Sequence, residues 1–141
     1  MGNGFNIRVY GIWIQDGHLL VNEEIIKGNK VIKFPGGGLQ VGEGTMDCLK
    51  REWMEELGLE ITVLEHFYTT DFYQPSAYDD SQVISIYYFV SADENAVIVN
   101  QMPNEKTYRV ALAAVSADTF TLPIDKIAGS MLAKRYAANK L

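Results

Sequence analysis

GGGLQVGEGTMDCLKREWMEELGL, residues 36–59, is the most informative segment of the 141-residue chain. Its first part is rich in glycine and follows Pro35, which predicts a loop whose backbone can approach a ligand closely. Its second part carries apolar residues at helical spacing and predicts a helix over residues 45–57. The segment therefore joins a glycine-rich loop directly to an amphipathic helix.

The predicted helix has two distinct faces. One face is apolar and suited to packing on a sheet; it carries Met46, Leu49, Trp53 and Leu57. Another face carries Glu52, Glu55 and Glu56, because residues three and four apart share one side of a helix. Three carboxylates on one face form a set of hard oxygen donors, which suits Mg²⁺ or Mn²⁺. A solvated acidic surface is the alternative explanation for these glutamates.

The loop that precedes the helix favours the metal site. Loop and helix together resemble the Nudix box, G-x5-E-x7-R-E-U-x-E-E-x-G-U, in which U is a bulky apolar residue. Every specified position is matched, at Gly37, Glu43, Arg51, Glu52, Trp53, Glu55, Glu56, Gly58 and Leu59. The chain is therefore similar to the Nudix (MutT-like) hydrolase family over residues 37–59.

This resemblance implies a metal site and its ligands. Glu52, Glu55 and Glu56 would bind one or more Mg²⁺ or Mn²⁺ ions. The backbone carbonyl of Gly36, just before the box, would be a further ligand.

The same resemblance implies a supporting structure for the loop. Glu43 and Arg51 would form a pair that fixes the loop against the helix, and Gly37, the first glycine of the box, would also support the loop. Cys48 lies one turn before Glu52; it is expected to be a small packing residue, and a reactive thiol is the alternative.

The reaction implied is hydrolysis of a diphosphate linkage in a nucleoside diphosphate joined to another group. The catalytic residues would be Glu52, Glu55, Glu56 and Arg51. Glu56 is the first choice for the general base. Glu105, which precedes a predicted strand, is the competing extra acid, and a solvated loop residue is its alternative interpretation.

The resemblance implies that substrate preference depends on residues outside the box. Pro75 lies in the aromatic-rich segment 67–78 and resembles a proline marker of ADP-ribose-cleaving relatives, although a proline after a strand also serves ordinary turns. Tyr73 and Tyr78 are candidates for stacking on a nucleobase, with packing at a strand end as the alternative.

Three functions remain open from the sequence. The first is a pyrophosphatase acting on ADP-ribose or a nucleotide sugar, which is slightly favoured. The second is a housecleaning hydrolase of non-standard nucleoside triphosphates. The third is a nucleotide-sensing domain without catalysis; all box glutamates are present, which disfavours it.

Composition narrows the partners of the protein. The chain has 12 basic and 18 acidic residues and a net charge of -6, with a pI near 4.8. This balance argues against nucleic acid as a partner, which requires many basic contacts to phosphates. No apolar run is long enough for a membrane span, and residues 1–6 lack the basic and apolar regions of a signal peptide. We expect a cytoplasmic protein with a nucleotide-type small-molecule substrate, and a homodimer is an open alternative to a monomer.

The element pattern predicts an α/β fold in a single domain, residues 1–141. The expected order is β-β-β-α-β-β-β-α, which suggests a mixed sheet with helices packed on it. The Nudix resemblance implies an α/β/α sandwich. Asp16-Gly17 predicts a tight hairpin, and Pro123 marks the start of the last helix. The predicted strands span 5–14, 19–25, 31–34, 61–73, 82–91, 96–99 and 108–115.

Overall fold

The computed structural model describes residues 4–141; residues 1–3, part of the segment without signal-peptide features, lie outside this range. Within it the chain forms β1 (Phe5–Ile12), β2 (Ile14–Gln15), β3 (His18–Ile26), β4 (Asn29–Lys33), β5 (Gly36–Gly38), α1 (Thr45–Leu57), β6 (Thr62–Thr69), β7 (Gln82–Ser91), β8 (Glu105–Ala111) and α2 (Pro123–Ala137). Two short 3₁₀ turns, Leu112–Ala114 and Ala117–Thr119, connect β8 to α2. No helix in residues 4–141 is long and apolar enough to cross a membrane.

The strands form two sheets. Sheet A has the order β5-β1-β7-β6. Strand β1 runs parallel to β7 and antiparallel to β5, so sheet A is mixed, as predicted. In sheet B, β3 pairs antiparallel with β2, β4 and β8. The predicted hairpin at Asp16-Gly17 is confirmed: both residues have positive φ, as a type I′ turn requires.

The two helices cover opposite faces of sheet A. Successive side chains of a strand point to opposite faces, and β1 shows the consequence. Val9 belongs to the apolar cluster that contains Trp53 of α1, whereas Tyr10 belongs to the cluster that contains Ile124 and Leu132 of α2. The predicted α/β/α sandwich is therefore confirmed.

Helix α1 has a glycine at each end, of which Gly58 is a specified position of the sequence motif. Gly44 is its N-cap, and Gly58 follows its last turn in the left-handed conformation with φ of 64°. Glycine adopts this conformation without steric cost. The Gly58 N–H donates to the Met54 carbonyl and the Leu59 N–H to the Trp53 carbonyl, and these bonds satisfy two acceptors of the last turn.

The prediction of a strand over residues 96–99 is wrong. This segment instead lies along the end of α1, where the Val99 N–H donates to the Leu57 carbonyl and the Gln101 N–H to the Glu56 carbonyl, both at 2.9 Å. Its alternating apolar residues serve packing, because Ala96 lies against the same apolar cluster as α1.

The glycine-rich loop is also shorter than predicted, because Gly36–Gly38 forms strand β5 at the edge of sheet A. Glycine has low strand propensity, so only pairing with β1 reveals this strand. The predicted strand 5–14 divides into β1 and β2, and the strands predicted at 61–73 and 108–115 end at Thr69 and Ala111.

The apolar face of α1 differs from the prediction at one position. Met46 is 47% exposed, whereas Cys48 is fully buried together with Leu49, Trp53 and Leu57. The Cys48 thiol also donates a hydrogen bond to the Gly38 carbonyl of β5 at 3.5 Å, so this buried polar group has a partner. The expectation that Cys48 packs as a small buried residue is confirmed.

Candidate active site

A cavity of about 370 Å³ opens where sheet A, sheet B and both helices meet. Its size lies in the range of small-molecule sites. Side chains of β1, β3, β4, β7, β8, α1 and the start of α2 line it, together with β5 and residues 74–78. Helix α1 therefore delivers its residues to the same space as β8 and the β3–β4 hairpin.

Two of the three motif glutamates reach this cavity. Glu52 and Glu56 line it, whereas Glu55 is not among its lining residues and its side chain is 58% exposed. The Glu52 carboxylate rests against the backbone of Gly37, and a Cβ at Gly37 would collide with it. Gly37 thus leaves the space that the Glu52 carboxylate occupies. Gly36 is buried in β5 and does not line the cavity.

Arg51 connects the loop to the helix. Its Nη2 and Nε donate to the two oxygens of Glu43 at 2.7 and 3.0 Å. Its Nη1 donates to Glu52 at 2.9 Å and to Glu55 at 3.2 Å, and its Nη2 also donates to the Gly38 carbonyl at 3.1 Å. The bonds from Arg51 lower the pKa of Glu43 to about 2. The structure thus brings Glu43 and Arg51 into the contact that the resemblance implies.

A second polar group faces α1 from sheet B. Lys33 is buried and pairs with Glu24 at 2.6 Å. Asn22, also buried, donates from Nδ2 to Glu105 at 3.2 Å, while its Oδ1 has no hydrogen-bond partner among residues 4–141. Glu24, Lys33 and Glu105 all line the cavity. The extra acid suggested by the sequence therefore lies in the same cavity as Glu52 and Glu56.

Carboxylates dominate the electrostatics of this region. Burial, followed by the charges of Glu105 and Glu52, raises the pKa of Glu56 to about 8. Burial also raises the pKa of Glu105, against the opposing charge of Lys33. Crowded carboxylates of this kind favour protonation unless a cation lies among them.

These donors fit a hard divalent cation in their chemistry. In their present positions, however, no three acidic, histidine or cysteine side chains among residues 4–141 are close enough together to hold one ion. Two of the carboxylates are engaged elsewhere, since Glu52 accepts from Arg51 and Glu105 from Asn22. Holding a cation between them would require these side chains to rotate from their present positions.

The substrate candidates divide into two groups. Pro75 and Tyr78 line the cavity, whereas Tyr73 is 71% exposed and does not. The Lys27 ammonium lies over the Tyr78 ring, 5.8 Å from its centroid. One face of the Tyr78 ring is thus in contact with the tip of the β3–β4 hairpin.

Four residues that line the cavity were not predicted from the sequence. Arg8 and Tyr10 of β1, Lys33 of β4 and Asp125 of α2 all line the cavity. The sequence gives a weak signal for Arg8, because this charged residue lies between the apolar Ile7 and Val9 of β1. It is on the same face of the strand as Tyr10. Asp125 is buried and accepts from the Tyr87 hydroxyl at 2.5 Å; its position in the first turn of a helix conceals it as an ordinary helix-dipole residue.

Comparison with known proteins supplies the family. The model of the NUDIX domain matches residues 5–131. The chain belongs to the Nudix family. No curated protein matched the chain by sequence. As a Nudix pyrophosphohydrolase it joins enzymes that generally use divalent metal ions and act on small nucleotide-type substrates.

Solved structures show the same fold. The crystal structure of the MutT protein from Methanosarcina mazei Go1 is 18% identical with a TM-score of 0.74, covering 100% of this chain and 99% of that one. The solution structure of the E. coli ORF135 protein is 19% identical with a TM-score of 0.71, covering 96% and 90%. A MutT NUDIX hydrolase from Burkholderia pseudomallei is 18% identical with a TM-score of 0.65, covering 89% and 95%. At these identities the likeness establishes the Nudix fold.

Proposed function

We propose that this Nudix protein hydrolyses a diphosphate linkage in a nucleoside diphosphate joined to another group, with Mg²⁺ or Mn²⁺. The observation that carries the proposal is the meeting of Glu52, Glu56 and Glu105 in one cavity of small-molecule size. An acidic cavity binds an anionic diphosphate only when cations offset the carboxylates, so the metal and the substrate are required together.

Glu52 and Glu56 would hold the metal from α1, and Glu105 would complete the donor set from β8. Glu55 and the Gly36 carbonyl are secondary candidates, since neither lines the cavity. When bound, the ion would neutralise phosphoryl oxygens and lower the pKa of a water molecule. The ligand roles of all five residues are proposals.

The chain's own residues perform the remaining steps. Arg51 fixes the orientation of the Glu52 carboxylate through the 2.9 Å bond from Nη1. Glu56 is our first candidate to accept the proton of the attacking water, because it shares the cavity with Glu52 and Glu105 and the charges of both act on it. Glu105 is the competing base; its carboxylate is oriented by Asn22.

The test is hydrolysis of a substrate panel in the presence of Mg²⁺, with products separated by chromatography. The panel contains ADP-ribose, nucleotide sugars, dinucleoside polyphosphates and nucleoside triphosphates. Glu56→Gln should reduce turnover by about 10²- to 10⁴-fold, as expected for loss of a general base. Glu105→Gln tests the competing assignment of the base to Glu105. Glu60 is an exposed glutamate just beyond α1, so Glu60→Gln is the matched control and should keep parental activity.

A second variant tests the metal ligand. Glu52→Gln should shift the Mg²⁺ concentration required for half-maximal rate upward. An unchanged Mg²⁺ dependence would contradict the ligand role of Glu52, and parental turnover in Glu56→Gln would contradict its role as base.

The preferred substrate class is ADP-ribose or a nucleotide sugar, supported by Pro75 at the cavity. Turnover confined to non-standard nucleoside triphosphates would establish the alternative housecleaning function. Tight binding without turnover of any panel member would establish a nucleotide sensor instead.

We further propose that residues 1–141 act as one domain in the cytoplasm, without nucleic-acid or membrane partners. The family match over residues 5–131 and the net charge of -6 support this proposal. A homodimer stays a prediction, to be checked by light scattering in solution.

A further inference from the structure

Arg8 has an unusual place in the cavity. It lies on β1 opposite Gly38 of β5 and beside Ser85 of β7, and it shares the cavity with both. Its side chain is on the same face of sheet A as that of Tyr10, since residues two apart in a strand point to one side. The guanidinium is thus fixed to the rigid floor of the cavity rather than to a loop.

Only one edge of this guanidinium is used by the protein. Nε donates to the Tyr10 hydroxyl at 2.6 Å. Across residues 4–141, neither Nη1 nor Nη2 donates to a protein acceptor, and no carboxylate forms an ion pair with Arg8. The charges of Glu52 and Glu56 reach Arg8 only through space. A half-buried guanidinium ordinarily finds partners for these donors.

The space beside these nitrogens is open because Gly38 has no side chain. A Cβ at Gly38 would have Arg8 Nη1, at 3.7 Å, as its nearest neighbour. A larger side chain on β5 would therefore cover the free end of the guanidinium. The Tyr10 bond holds the planar group in one orientation, which reduces the entropy lost on binding.

We propose that Arg8 binds the substrate through Nη1 and Nη2, which donate to two adjacent acceptor atoms of the substrate. This inference rests on the proposed function, since it assigns a substrate contact in the same cavity. The fork of a guanidinium matches paired acceptors, such as two phosphoryl oxygens or the O6 and N7 atoms of guanine. Lysine, a point charge, does not reproduce this geometry.

Tyr10 is the positioning residue in this arrangement. Its hydroxyl accepts from Nε, so Tyr10→Phe removes the bond that orients the guanidinium while it keeps the aromatic ring. A purely structural role of Tyr10 would affect stability alone. A positioning role predicts that Tyr10→Phe weakens binding in the parent and has no further effect when Arg8 is already replaced.

The experiment measures binding without turnover. Calorimetric titrations with Mg²⁺ use three probes that contain a P–C–P bond: α,β-methylene-ADP, α,β-methylene-GDP and methylenediphosphonate. The variants are Arg8→Lys, Arg8→Met, Tyr10→Phe and the double variant Arg8→Met/Tyr10→Phe. Lys50→Met, on the exposed surface of α1, is the matched control for loss of a positive charge, and thermal unfolding verifies that each variant folds.

Arg8→Lys and Arg8→Met should each weaken binding of at least one probe by about tenfold or more, as expected for loss of a charge-assisted hydrogen bond. An equal loss for methylenediphosphonate and the nucleotides identifies phosphoryl oxygens as the acceptors. A loss confined to one nucleotide identifies the edge of its base.

Two results would overturn the proposal. The first is that, for every probe, both Arg8 variants have the same dissociation constant as Lys50→Met. The second is that the parent protein binds none of the three probes. Failure of the proposed function is distinct, because it appears as binding that depends on Arg8 without hydrolysis of any member of the panel.

Discussion

Asp125 provides a direct test of the electrostatics inside the fold. It lies in the first turn of α2, where only 3% of its surface is exposed, and it accepts a hydrogen bond from the Tyr87 hydroxyl. Burial raises the pKa of its carboxyl from 3.8 to about 6, against the opposing effects of Tyr87 and Lys33. Asp125→Asn keeps an oxygen that can accept from Tyr87 but cannot ionise.

The sign and size of the effect follow from this shift. A carboxyl whose pKa is higher in the folded than in the unfolded state is better tolerated when protonated. Its contribution to stability is therefore complete below about pH 4 and is lost as the pH rises through about 6. A shift of about two units corresponds to ~3 kcal/mol. Relative to the parent, Asp125→Asn should gain up to about 3 kcal/mol in unfolding free energy between about pH 4 and pH 8.

Urea denaturation at a series of pH values, followed by tryptophan fluorescence, measures this difference. Subtracting the parent's curve from the variant's removes the contribution of every other titrating group. Asp118→Asn, which removes an exposed carboxylate near α2, is the control and should stay within about 0.5 kcal/mol of the parent throughout. Parallel curves for Asp125→Asn and the parent would refute the assigned pKa shift.

Three other changes test the packing around the site. Gly37→Ala places a methyl group against the Glu52 carboxylate, so turnover should fall by about tenfold or more at nearly parental thermal stability; Gly4→Ala, which meets no atom within 4 Å, is its control. Burial raises the pKa of the Cys48 thiol to about 12, so iodoacetamide at about pH 8 should label the protein only after unfolding, and labelling of the folded state would contradict the packing. Leu132→Ala removes a fully buried side chain of α2 and should lower the unfolding free energy by about 2–5 kcal/mol, whereas a loss below that of the partly exposed Ile127→Ala would show that the helix packs differently.

Local sequence signals were sufficient for part of the fold. The Asp16-Gly17 turn and the helix over residues 45–57 are specified by neighbouring residues, and both are present in the structure. The same holds for Glu43 and Arg51, whose contact follows from the fixed spacing of one motif.

Features that depend on distant parts of the chain could not be predicted in this way. Three glycines carry no strand signal, yet pairing with β1 makes them a strand. Residues 96–99 have the alternation of a strand, yet the Val99 N–H bonds to the Leu57 carbonyl at the end of α1 instead of to a strand. The polar floor of the cavity is assembled from β1, β4 and α2, so Arg8, Lys33 and Asp125 share a site that no sequence spacing reveals.

Two hydrogen bonds join the segment after β7 to the end of α1. They connect the helix that carries Glu52 and Glu56 to the part of the chain that leads to Glu105. Gln101 is bonded to the Glu56 carbonyl, and only residues 102–104 separate it from Glu105. An added residue within 102–104 would therefore displace Glu105 relative to α1, whereas one added at the 93–95 turn lies upstream of both bonds. In hydrogen–deuterium exchange, the Val99 and Gln101 amides should exchange at the slow rate of the last turn of α1, because α1 and the segment after β7 would open as one unit.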